Sequence, residues 1–465
     1  MLTRYTAALA LSLWAASASA QMLPPDVSER VGRAASFVYN YTPSQYADKL
    51  GTRDVVWDNR PTTIQGGAHR LHFPPSTFSS AYTAVNRLPA DVIVYGKTRL
   101  MTACGVPHGG CPLSWFRSNH PEWIIYKADQ VTPAYQFGDT TWVPLDISNP
   151  KYRSWLFANY YQPILDLGYQ ALSVDNVTPR NDFGEVGTCS IAPTTHCTAD
   201  GGTWTQLYSG TARGDEAFIR NRVEWVRAIT GFAHSRNRST IGNVTYDPVN
   251  TKASADLIDA FDVWFDEPGF TGDTNPSPCR LDNPTSVIDR TWVNKVNFIT
   301  TLNAGAGPKA YITENSICPN GSYQHPGKGS NFEVVEFAVA SYLIIKNRHT
   351  YLFTYFDNGT TGGVGAFNDE TPTARWPQLS LRHGAATGKH AVTGGVYHRE
   401  FADALAIVNP SRSEGKTFDV GSRAYHRSDC ARYSGLVTVP PMTGMVLLKG
   451  EPTTCIPAIR FSEDG

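Results

Sequence analysis

The chain has 465 residues, with 40 Lys and Arg against 41 Asp and Glu, a formal net charge of −1. That near balance offers no electrostatic footprint for nucleic acid or an acidic membrane, so no nucleic-acid partner is expected. The length exceeds one ordinary domain and favours a large barrel with a smaller appendage, while a 12% aromatic content, with 11 Trp and 22 Tyr, suits ring stacking as well as core packing.

The first twenty residues, MLTRYTAALALSLWAASASA, carry Arg4, an apolar stretch from Ala7 to Ala15, and the small residues Ala18, Ser19 and Ala20. This is the layout of a cleavable signal peptide, with cleavage expected after Ala20 and a secreted or periplasmic destination. No later segment offers the roughly 20 apolar residues of a membrane helix, so no membrane anchor is expected. All eight cysteines follow the signal segment. An even count in an exported chain argues for disulfides, and they fall in couples: Cys104 with Cys111, Cys189 with Cys197, Cys279 with Cys318, Cys430 with Cys455. There is no CxxC spacing or His cluster, so no metal and no cofactor are expected.

From about residue 35 to 390, short apolar runs alternate with segments of helical period. The early strands are ambiguous: Phe37–Tyr41 or Val55–Asn59, then Val92–Tyr95 and Trp123–Tyr126. The pattern sharpens at Asp146–Pro150, where Ser148 or Asn149 can cap a helix, Pro150 fits its first turn and Gly168 stops it. A strand Ala171–Val174 follows and ends in Asp175 and Asn176. The same grammar gives a helix near 215–232 and strand Thr240–Asn243, then strand Ala260–Phe265 ending in Asp266 and Glu267. A helix near 284–302 leads to strand Ala310–Thr313, ending at Glu314, and a helix near 332–346 to strand Tyr351–Phe356, ending at Asp357. About eight strands with helices between them predict a (β/α)8 TIM barrel over residues 21–390. An open doubly wound sheet is disfavoured because no Gly-rich loop follows an early strand. Beyond 390 the pattern becomes short alternating runs at Tyr397–Phe401, Ala404–Val408, Thr417–Val420, Leu436–Val439 and Met445–Leu448, predicting a small all-β sandwich domain over 391–465.

Counting back from the last strand, Asp175 ends strand four and Glu267 strand six, so both carboxyls should face one mouth. Acetal hydrolysis needs such a pair, one acid to protonate the leaving oxygen and one carboxylate to attack or to activate water. No GxSxG or HExxH offers another hydrolytic set. Side chains alternate along a strand, so only one of Asp266 and Glu267 can point inward, and the longer arm favours Glu267 as acid/base. Glu314 competes for that role from strand seven. A binding rim is expected from Tyr95, Lys127 and Asp129 on the early strands, Asn176 and Asp266 beside the pair, Asn243 and Tyr246 after strand five, Glu314 after strand seven, and Tyr355 and Asp357 after strand eight.

The segments NHPEWIIYKAD, LDISNPKYRSWL, GYQALSVDNV, WFDEPGF, REFADALAIVNPS and VTVPPMTGMVLL resemble a glycosyl hydrolase-like TIM-barrel family related to polygalactosaminidase- and α-galactosidase-type barrels. The resemblance runs from about residue 50 to 450. It implies that the acid after strand four, Asp175, is the nucleophile, that the acid after strand six, Glu267, is the acid/base, and that the tail is a β-sandwich. The chain departs from that pattern in a cysteine-bearing insertion, Arg180–Trp204, directly after Asp175. The expectation is an exported glycoside hydrolase of retaining type acting on a poly- or oligosaccharide. Its rival is an inactive carbohydrate-binding protein on the same scaffold.

Overall fold

The structure is a computed structural model that describes residues 23–38, 53–58, 78–84, 87–89, 111, 113–135, 142–166, 168–210, 214–267, 269–271, 288–304, 309–317, 331–356, 377–411 and 413–452. The expected signal segment 1–20 and the expected strand Val92–Tyr95 lie outside these residues.

Eight strands form the barrel: β1 Gly32–Val38, β2 Val55–Asp58, β3 Phe78–Ala84, β4 Ala171–Val177, β5 Ser239–Val244, β6 Val263–Asp266, β7 Ala310–Ile317 and β8 Thr350–Phe356. Each pairs in parallel with its sequence neighbours, and β1 closes on β8 through Gly32 opposite Tyr351 and Arg33 opposite Leu352. The order of the later strands is as expected, which makes β4 and β6 the carriers of Asp175 and Glu267. The early strands need correction. Phe37–Tyr41 and Val55–Asn59 are not alternatives, because β1 and β2 both belong to the barrel. The third strand, FSSAYTA, carries no apolar run and was invisible to a hydrophobicity pattern, yet it pairs with both β2 and β4. Trp123–Tyr126 is not a barrel strand. Pro121–Trp123 is a 3-10 turn, and Ile125–Lys127 pairs antiparallel with Glu185–Cys189, which pairs with Trp204–Ser209. That three-stranded sheet is an excursion from the loops after β3 and β4, carrying the Cys189–Cys197 disulfide. Cys111 and Cys430 are also disulfide-bonded, while their expected partners and the Cys279–Cys318 couple lie outside the described residues.

Local chemistry explains how β4 is delivered. Asn149 Oδ1 accepts from the amides of Lys151 and Tyr152 at 3.0 and 3.3 Å, capping the helix that begins at Pro150. Gly168, at φ 95°, reverses the chain into β4. Asp215 caps helix Glu216–His234 through Phe218 N at 3.1 Å and also accepts from Asn181 Nδ2 and Ser209 N, so one carboxylate ties both roots of the excursion to the next barrel helix.

Helix Asn331–Ile345 is apolar on all sides, the mark of an element buried on two faces. One face covers the barrel and the other meets strands Ala404–Asn409 and Thr443–Lys449 of the tail. Those strands belong to a six-stranded antiparallel sheet, and Lys416–Asp419 pairs with Leu436–Val439 in a second sheet. Leu405, Ile407 and Leu447 share a core with Phe418 and Val437 of the second sheet, whereas Ala404, Ala406, Val408 and Val446 join the barrel core. Strand 404–409 therefore buries both faces, which accounts for its unbroken apolar sequence. At Gly444 a Cβ would lie 2.7 Å from Phe337 Cα, so only glycine lets sheet and helix approach this closely. Glu336 of the helix accepts from Val446 N at 3.0 Å and pairs with Arg427. Among the described residues no helix is long and apolar enough to cross a membrane.

Candidate active site

Which side chains face the barrel interior follows from one contact. The rings of Trp57 on β2 and Phe265 on β6 meet across the lumen with centroids 4.9 Å apart. Phe265 therefore points inward, Trp264 and Asp266 outward, and Glu267 inward again. By the same alternation Asn243, opposite Phe265 in register, points inward.

These residues converge. Asn243 Nδ2 donates to Asp175 Oδ1 at 2.8 Å and to Glu267 Oε2 at 2.7 Å. Both amide hydrogens are thus engaged, and the two carboxylate oxygens can be no farther apart than the sum of those distances, 5.5 Å. Asp175 also accepts from Asn176 N and from Asn176 Nδ2, both at 2.8 Å. Asn176 holds φ 58°, a left-handed conformation that Asn tolerates better than most residues, and this curl turns its donors back onto the preceding carboxylate.

The pair is electrostatically unequal. Glu267 is open to solvent at the cleft, but protein crowds its carboxyl in the recess. Burial first, and then the negative charges of Asp175 and Asp266, push it up to about 7, against the lowering hydrogen bond from Asn243. Near neutral pH Glu267 can therefore hold a proton beside a second carboxyl, an arrangement that acid/base chemistry can use.

Asp266, expected on the rim, is fully buried and cannot meet a ligand. Its outward register places it against Lys295 Nζ at 2.8 and 3.1 Å and Tyr311 Oη at 2.6 Å. Tyr246 is also turned away, packed on Phe298 at 4.8 Å between centroids, and burial pushes its hydroxyl up to about 12. Lys127 and Asp129 are exposed on the excursion rather than at a barrel strand end, and Asp129 closes a turn by accepting from Val131 N and Thr132 N. Glu314 lies on the inward register of β7 but is only 2% exposed, and it is Glu267 that shares the amide with Asp175. Tyr95, Asp357 and the side chain of Tyr355 lie outside the described residues.

Lys295 and Tyr311 belong to no motif in the sequence. The signal for Lys295 was present, since a lone cation stands within the stripe formed by Trp292, Val296 and Ile299.

No family model matches the chain, and no curated protein does. The resemblance to polygalactosaminidase- and α-galactosidase-type barrels therefore has no counterpart there. Among solved structures the chain is similar to a noncanonic maltogenic α-amylase from Thermotoga neapolitana, with 11% identity over 90% of this chain and 96% of that one and a TM-score of 0.43. It is similar to an α-glucosyl transfer enzyme, with 10% identity over 92% and 100% of the chains and a TM-score of 0.48. A GH36 α-galactosidase from Geobacillus stearothermophilus aligns at 8% identity over 92% of this chain and 57% of that one, with a TM-score of 0.42. Likeness at this level assigns no activity.

Proposed function

We propose that the protein is an exported glycoside hydrolase that cleaves a poly- or oligosaccharide by a retaining mechanism, with Asp175 as nucleophile and Glu267 as acid/base. The observation that carries this reading is the single Asn243 amide shared by the two carboxylates. It holds their nearest oxygens within 5.5 Å of one another, which supports the close pairing of a retaining enzyme, about 5–5.5 Å between carboxyl groups, over the wider spacing of an inverting one.

In the first half-reaction the Glu267 proton passes to the glycosidic oxygen as the C–O bond breaks, and Asp175 forms a bond to the anomeric carbon. The leaving alcohol departs and Glu267 is left anionic. Glu267 then takes a proton from water as that water displaces Asp175, which restores both groups. The shared core of the two tail sheets supports a sandwich domain over residues 391–465, and the disulfide on the excursion fits an oxidising, extracytoplasmic setting.

The test is turnover of a panel of bacterial and plant polysaccharides by the mature protein, beside Asp175→Asn and Glu267→Gln. Loss of at least about 10²-fold in both variants is expected for groups of these roles. Wild-type activity in both would sink the assignment, and tight oligosaccharide binding without turnover would favour a binding protein.

A further inference from the structure

Glu267 lies between two residues gripped by one ammonium. From helix Ile288–Ala304, Lys295 Nζ reaches Asp266 Oδ2 at 2.8 Å and Oδ1 at 3.1 Å on one side of Glu267, and the Gly269 carbonyl at 2.6 Å on the other. Tyr311 on β7 adds a bond to Asp266 at 2.6 Å. Lys295 is 3% exposed and Asp266 has no exposed surface. Past the turn, Phe270 N donates to Asn315 Oδ1 at 2.9 Å. The turn is also fixed sterically, because Gly269 adopts φ 51° and a Cβ there would stand 1.8 Å from the Glu314 carbonyl oxygen.

Burying an ion pair is a poor way to gain stability, since the desolvation of both charges offsets their attraction and an apolar pair of similar size often does as well. The geometry supplies another purpose. The ammonium spans residues 266 to 269, the stretch that launches the Glu267 side chain, and it belongs to a helix rather than to a mobile loop. We infer that Lys295 is a positioning residue, a staple behind the strand that keeps the Glu267 carboxyl within reach of Asn243 and therefore of Asp175. Its effect on catalysis rests on the glycosidase reading, but its effect on the Asn243–Glu267 contact does not.

Among the described residues, Lys295, Tyr311 and Tyr246 neighbour Asp266, while Asp175 and Asp266 act on Glu267, with Glu314 on the adjoining strand. The Asn243 side-chain amide, which touches Glu267 directly, can report its position by 15N NMR. In the wild type that resonance should follow the ionisation of Glu267 with a midpoint at about 7. In Lys295→Met, shown by circular dichroism and cooperative melting to be folded, at least about half of that excursion should vanish. On a hydrolysable substrate kcat should fall about 10²-fold while KM changes less than about threefold, the pattern of a misplaced reacting group.

An unchanged Asn243 titration in folded Lys295→Met overturns the inference. If that variant does not fold, Asp266→Asn, which keeps the shape of the side chain and removes the charge that Lys295 grips, should show a partial loss, and a wild-type excursion there overturns it equally. A Lys295-dependent titration in a protein that hydrolyses no glycan would sink the glycosidase reading and leave the staple standing.

Discussion

Replacing Asp175 by Asn removes one charge beside Glu267 and leaves a side chain of nearly the same shape. With the nearest oxygens at most 5.5 Å apart, two unit charges interact by ~0.75 kcal/mol at the dielectric constant of water and by ~3 kcal/mol at an effective value of 20. At 1.36 kcal/mol per pH unit these energies correspond to roughly 0.5 and 2 pH units. The Glu267 midpoint should therefore fall from about 7 by that amount, and it should stay above the ordinary 4.5 because burial, its largest cause, is untouched. The assay is a 13C titration of glutamate carboxyls, with the Glu267 resonance identified by its absence in Glu267→Gln. If Glu267 acts as the proposed acid/base, in its protonated form, wild-type kcat/KM should decline as pH rises through about 7. A midpoint in Asp175→Asn equal to or above the wild-type value would refute the coupling.

Opening the Cys189–Cys197 disulfide with Cys189→Ala/Cys197→Ala should loosen the excursion beside Asp175 and lower kcat/KM while the barrel keeps its cooperative melting. Full activity in that variant would confine the bridge to a role away from the cleft. At the helix–tail contact, burial outweighs the attraction of Arg427 and holds Glu336 at about 7, although Arg427 itself is held firmly cationic. An acid whose folded value lies above its unfolded one binds more protons when folded, so its stabilising contribution is present at low pH and is lost as pH rises from about 4.5 to about 7. The stability of the wild type relative to Glu336→Gln should accordingly drop by up to ~3 kcal/mol between pH 4.5 and 7.5 in denaturant titrations, and no change in that difference would contradict the assignment.

The later half of the barrel was legible because most strands there are apolar runs closed by a polar residue, as in Ala171–Val174 before Asp175 and Val263–Phe265 before Asp266 and Glu267. The strand β3 was not, since FSSAYTA owes its place to backbone pairing on both edges rather than to apolar side chains. Without it, Ile125–Lys127 was the more hydrophobic candidate, and Lys127 and Asp129 followed it onto the wrong surface. Alternation decided correctly that Asp266 and Glu267 must part. It could not foresee that Asp266 would be sealed by Lys295, or that Tyr246 would turn onto Phe298, because both depend on the helix that covers β5 and β6. Asn243 was placed at the mouth as a sugar ligand, but its amide nitrogen is spent on the two carboxylates. Only tertiary geometry could show that.

The most direct test of the central claim is the configuration of the sugar first released, followed by 1H NMR with the protein on a substrate it cleaves. Retention of the anomeric configuration, lost together with turnover in Asp175→Asn and Glu267→Gln, is the expected result. Inversion would contradict direct attack by Asp175, and retained turnover in either variant would contradict the pair itself.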